Sequence, residues 1–157
     1  MSGNLTVTQP SDLEIKMVRV FDAPRSVVFE AHTTCEHVKH WWGRGNPVDC
    51  EMDFRPGGTY RFVEHAPDGE QYAFRGEYRE IRAPERIVQT FEFEGMPGHV
   101  ALETVTMEER DGRTLVRTVS SFQSVEDRDG IIASGMEHGV HDSDARLEEL
   151  LARMRKG

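Results

Sequence analysis

Two cysteines in 157 residues fall far short of the density of a small secreted disulfide scaffold. Cys35 and Cys50 form no CxxC pair and sit in no activating motif, so they read as small apolar fillers. Thiols of that kind suit a reduced, cytoplasmic compartment. Long apolar runs are also missing: nothing approaches the ~20 residues of a membrane span. The opening MSGNLTVTQPSD is too polar for a signal peptide. Positive charge is scarce as well, with 19 Lys and Arg against 28 Asp and Glu, a net charge of -9. Such a chain repels polyanions, which argues against nucleic acid. The one basic cluster, RMRK at 153–156, complements the dipole at the end of a helix. No GxSxG, P-loop or dinucleotide fingerprint occurs. RPGG at 55–58 precedes a strand, not a helix, and so cradles no phosphate. No repeat, low-complexity tract or linker divides the chain. The expectation is a polar leader, 1–12, and one domain, 13–157. A chain this long buries roughly 70% of its unfolded surface and needs no metal or disulfide to fold.

What is present is alternation. LEIKMVRVF (13–21) reads as a strand. Asp22 as N-cap, with Pro24 in the first turn, predicts a helix through DAPRSVVFEAHT. A second short helix, TCEHVKHWW, is capped by Thr34 and ended by Gly43 and Gly45. Strand patterns then fill the chain to about residue 122. VDCEMDF sets Val48, Cys50, Met52 and Phe54 on one face. TYRFVEH brings Tyr60 and Phe62 into phase, and QYAFRGEYREI does the same for Tyr72, Phe74, Gly76 and Tyr78. IVQTFEFE adds Phe91 or Phe93. ALETVTMEE and RTLVRTVSSF flank RDG as a hairpin, with Met107 on the first strand and Val116, Thr118, Ser120 and Phe122 inward on the second. Beyond a short helical turn near 125–133 the period becomes helical, with Met136, Val140, Leu147, Leu150 and Met154 on one stripe. Strands grouped between helices indicate an α+β domain with one sheet face covered.

That face is rich in rings, and the helix opposite offers Met136, Gly139, Val140 and Ser143, which are slim or flexible. Large against small marks either a solid core or a mostly apolar cavity with a few orienting polar groups. The candidate lining is Trp41, Trp42, Phe54, Tyr60 and Phe62, then Phe74, Tyr78, Phe91 and Met107, and finally Thr118, Ser120, Met136 and Val140. Glu64 and Glu103 share parity with the inward residues. A carboxyl there has a raised pKa and can act as acid or base, whereas one at a strand end or bulge reaches water; the second reading is preferred. His37 with His40, and His138 with His141, stand three apart but lack a third ligand, so they read as surface histidines. No metal, cofactor or catalytic set is expected. HVKHWWGRG (37–45) places both tryptophans side by side. One wedges the helix pair against the sheet and the other lies at the cavity mouth or on the first helix, with Trp41 expected to be the more buried.

FDAPRSVVFEAHTTCEHVKHWWG, DFRPGGTYRF, PDGEQYAFRGEYREIRAPERIV and RDGIIASGMEHGVHDSDARLEELL together resemble the bacterial Hsp90-ATPase-activator-homologue family, within the START-like (SRPBCC) superfamily. The resemblance spans about residues 14–152. It implies a helix-grip fold, with a curved antiparallel sheet of six to seven strands around a long C-terminal helix and a hydrophobic cavity between them. Two departures stand out. The family usually has tryptophan where His32 stands, and an aspartate-proline pair where Thr34 and Cys35 stand. The eukaryotic co-chaperone has a separate docking domain for which this chain has no room, so the resemblance implies a fold and a cavity, not chaperone activation. The function expected is binding of a small apolar, aromatic or lipid-like molecule, without membrane insertion and with a homodimer possible through an edge strand. The alternatives are a cyclase or hydrolase using the same cavity, with a buried acid such as Glu64 or a tyrosine as the working group, and a chaperone-cofactor or stress-response interaction module.

Overall fold

A computed structural model describes residues 5–43 and 45–156; residues 1–4 of the polar leader lie outside the described residues. Strands β1 (Thr6–Thr8) and β2 (Glu14–Phe21) are followed by helices α1 (Arg25–Thr33) and α2 (Cys35–Trp41). Six strands follow: β3 (Val48–Met52), β4 (Thr59–His65), β5 (Gln71–Arg82), β6 (Arg86–Phe93), β7 (Val100–Arg110) and β8 (Arg113–Ser121). Helices α3 (Val125–Ala133) and α4 (Met136–Lys156) end the chain. The strands form one antiparallel sheet in the order β1-β2-β8-β7-β6-β5-β4-β3. The eighth strand comes from the leader, where Thr6–Thr8 pairs with Lys16–Val18.

Period-two alternation works as the sequence implies. On β2, Ile15, Arg19 and Phe21 are buried, and on β8 so are Thr114, Val116, Thr118 and Ser120. At the β7–β8 turn both central residues, Asp111 and Gly112, have positive φ, at 54° and 77°. This is the mirror-image turn whose twist matches the strands. The outer face is a lattice of paired charges. Arg61 grips Glu94 at 2.7 and 3.0 Å, and Arg75 meets Glu92 at 3.1 Å. Those arginines are occupied by neighbours and contribute little net stability each.

The helix starts differ from expectation. The residue before α1 is Pro24, not Asp22, and Thr34 makes no side-chain cap for α2. The first turn of α1 is served across space, where the Arg25 amide donates to the Glu109 carboxylate at 2.8 Å. A distant acid does the work of a local cap. Thr34 instead donates its hydroxyl to the Glu30 carbonyl at 3.2 Å, back along the chain. Helix α3 is capped locally, with Ser124 accepting from the Asp127 amide.

The cysteines require a correction. Cys35 and Cys50 are joined in a disulfide, with Cα atoms 5.5 Å apart. The bridge ties the first residue of α2 to the middle of β3. They are not separate apolar fillers, and the cysteines do not demand a reduced compartment. No helix among the described residues is long and apolar enough to cross a membrane.

Helix α4 lies against α1 and α2, and its two halves meet different surroundings. From Asp144 onward Leu147, Leu150 and Leu151 are buried with Phe21, Val28, Met107 and Val116 in one cluster. Each such side chain contributes about 1.5–3 kcal/mol. Between Met136 and Ser143 no residue is buried. The C-terminal half of α4 is thus buried on the concave face, and its N-terminal half is buried only in part.

Candidate functional site

The partly buried half is built from the middle strands. Cross-strand register sets a row Ile15–Ser120–Glu103–Gln89–Tyr78 across β2, β8, β7, β6 and β5. Beside it stand Phe91 opposite Ala101 and Phe74 opposite Phe93. Phe74, Gln89, Phe91, Phe93 and Glu103 all keep accessible surface although they point into the concavity. Met136, Val140 and Ser143 of α4 are half-buried in the same way. Two surface depressions, of about 230 and 450 Å³, lie elsewhere, along Glu51–Asp53 with Thr59–Arg61 and beneath the C-terminal part of α4 at Val20 and Leu151.

The tryptophans divide the work differently from expectation. Both are half-buried. Trp42 meets the sheet, with its ring centroid 5.2 Å from Phe62, 5.6 Å from Phe74 and 6.1 Å from Phe91. Trp41 rests on the first helix, where its indole N–H donates to the Ala31 carbonyl at 2.9 Å and its ring lies 5.1 Å from His32. Trp42 turns inward because α2 stops there: its amide donates to Val38 and Gly43 follows at φ 90°. A Cβ at Gly43 would strike Val48, so glycine alone suits the turn.

The remaining expected residues fall into two groups. Phe54 packs edge-on to Tyr78 at 4.9 Å and to Phe29 at 5.9 Å. Tyr60 lies 5.3 Å from Tyr78 and donates its hydroxyl to the Thr90 carbonyl at 2.5 Å. Gly76 makes room for that ring, since a Cβ there would collide with Tyr60 and the Thr90 carbonyl. Burial raises the hydroxyl pKa of Tyr60 well above its ordinary value, reinforced by the Glu103 charge, and burial raises that of Tyr78. Both stay protonated. Met107 belongs to the sealed core, whereas Thr118 and Ser120 are buried polar groups on β8.

Both acids point inward, contrary to the preferred reading. Glu64 is 4% exposed and accepts from the Asn46 side chain at 2.8 Å. Glu103 lies at the middle of the row, on β7. Gln89 donates to one of its oxygens at 3.0 Å and Ser120 to the other at 3.4 Å. Desolvation raises its pKa, against the lowering from those hydrogen bonds and from Arg19.

Sequence reasoning missed a second polar group. Arg19 of β2 donates to Asp144 of α4 at 2.8 Å, with side chains 11% and 6% exposed. The pair stands where the fully buried part of α4 begins. Desolvation raises the pKa of Asp144 in spite of Arg19. Next to it, His32 places Nδ1 2.7 Å from the Val28 carbonyl, which makes Nδ1 the donor. Its Nε2 and the Nε of Arg19 are buried without a hydrogen-bond partner. Burial drives the imidazole pKa down from 6.5 to about 4, with the Arg19 charge also lowering it. The signal was available in the departure from tryptophan at this position, but not its consequence. Because the folded pKa is depressed, His32 contributes stability above pH 6.5 that is lost as pH falls through about 4. Between pH 7 and 4.5 the wild type should lose about 2 kcal/mol more than His32→Phe. Urea unfolding at the two pH values checks this, and parallel losses would refute it.

A curved antiparallel sheet with a long C-terminal helix across its concave face defines a helix-grip, START-like domain. Within that class, the chain belongs to the family of Activator of Hsp90 ATPase homolog 1-like proteins, whose model matches residues 22–152. A comparison with curated proteins finds no match. Solved structures share the fold. A Rhodobacter sphaeroides protein has a TM-score of 0.88 at 22% identity, covering 95% of this chain and 98% of its own. An Arthrobacter aurescens protein gives 0.85 at 25%, over 94% and 91%. A Staphylococcus epidermidis protein gives 0.78 at 27%, over 95% and 94%.

Proposed function

We propose that this protein binds a small apolar molecule, aromatic or lipid-like, between the open half of the sheet and the N-terminal half of α4. One observation carries the reading. Inward-pointing Phe74, Phe91 and Phe93, and the facing Met136 and Val140, retain accessible surface, while Leu147, Leu150 and Leu151 of the same helix are buried in the core. A ring-rich face with few polar groups is the composition of ligand sites. Membership in a START-like family supports the same reading.

An apolar fluorophore such as N-phenyl-1-naphthylamine should bind with enhanced emission. Val140→Trp, which places a large ring over the open half, should weaken that binding at least tenfold while the far-UV spectrum is kept. Equal binding by both proteins would remove the site from this face. A homodimer through β1 or β3, the two strands that end the sheet, accords with the unpaired backbone groups an edge strand presents. Sedimentation velocity reports it directly.

A further inference from the structure

Glu103 is the feature of the open half that apolar binding alone does not require. It sits at the centre of five strands, in a row whose other members are neutral: Ile15, Ser120, Gln89 and Tyr78. Its two oxygens accept from the Gln89 amide and the Ser120 hydroxyl. Those bonds orient the carboxyl, while burial disfavours its charge and Arg19 offsets that only in part. Arg19, the cation whose charge reaches it, already spends Nη1 on Asp144. Among the described residues no ion pair is made by Glu103. Near this row, Trp42, Phe74 and Phe91 form a mutual cluster with centroids 5.5–6.1 Å apart. Aromatic faces attract a cation within about 6 Å of the ring centroid.

Three kinds of head group are open to an apolar ligand entering this space. A carboxylate is repelled by an ionised Glu103 and must lose its own hydration besides. A neutral hydroxyl or carbonyl finds hydrogen bonds but leaves the acid compensated only in part. A protonated amine supplies the missing charge, donates to carboxylate oxygens that keep free lone pairs, and sets its first methylenes against the rings. Charge-assisted bonds of that type are roughly twice as strong as neutral ones.

The geometry points to a hydrophobic amine as the ligand class, with its ammonium anchored on Glu103 and its apolar body on Trp42, Phe74 and Phe91. This rests on the binding reading above and adds the head group. The test uses three probes with one body: 4-phenylbutylamine, 4-phenylbutan-1-ol and 4-phenylbutyrate. Calorimetry on the wild type should show the amine at least tenfold tighter than the alcohol, with the carboxylate weakest. Glu103→Gln, nearly isosteric, should lose about tenfold for the amine and bring it level with the alcohol. The head-group order on the wild type stands as a test even if that variant folds poorly. An alcohol that binds as well as the amine, or an amine preference kept in Glu103→Gln, overturns the anchor while leaving apolar binding intact. Failure of all three probes overturns apolar binding itself.

Discussion

Asp144→Ala should destabilise the protein by about 3–5 kcal/mol, the cost of leaving one member of a buried ion pair alone. In a domain of this size each kcal/mol moves the melting temperature by roughly 2–4 °C. Arg19 has little room to escape. Its side chain is 11% exposed, its Nε has no partner, and its guanidinium lies 5.7 Å from the Phe21 ring. Removing both charges is a different matter. Arg19→Met with Asp144→Leu should recover most of the loss, because an apolar pair of similar volume incurs no desolvation cost. Thermal and urea unfolding of the single and double variants measure the coupling between the sites. A single variant within 1 kcal/mol of wild type would show that water relieves Arg19. The pair also carries a pH sign. Since the folded pKa of Asp144 is raised, its contribution is fullest below the unfolded value and is lost as pH rises through the folded one.

Opening the Cys35–Cys50 bridge should cost about 3 kcal/mol, the chain-entropy value for a loop of about 15 residues. The separation here is 15. Cys35→Ser with Cys50→Ser, or reduction of the wild type, should lower the melting temperature by on the order of 10 °C. The effect has a direction in space. The bridge fastens the start of α2 to β3, and the other end of α2 leads into Trp42, which fills the space beside Phe62 and Phe74. Reduction should therefore raise hydrogen exchange first in α2. Two thiols per chain titrating in the unfolded, unreduced protein would show the bridge absent.

Much of the site was legible because a strand's side-chain period is two. Tyr60, Phe62 and Glu64 on β4, like Glu103 and Met107 on β7, face inward as alternation implies. The parity of the acids was right, and the preference for a solvated end was not. A carboxylate facing inward is costly unless donors meet it, and here Asn46 donates to Glu64 while Gln89 and Ser120 donate to Glu103. Sequence separation hid those donors: Gln89 and Glu103 are 14 apart, Asn46 and Glu64 18. Asp22 looked like a cap for a similar reason, because the donor's real partner, Glu109, lies 84 residues away.

From residue 13 onward the sequence by itself determined the class of element at each stretch, the inward face of each strand and the apolar stripe of α4, since these follow from periodicity along one segment; the strand in the leader it did not. It also carried the family, through phrases spread over nearly the whole chain. Only the tertiary structure decided that Cys35 meets Cys50, that Arg19 meets Asp144, that Trp42 and not Trp41 turns to the sheet, and that α4 contributes fully buried residues only from Asp144 onward. Each depends on how close remote segments approach, and a residue's period names its face without naming what stands opposite.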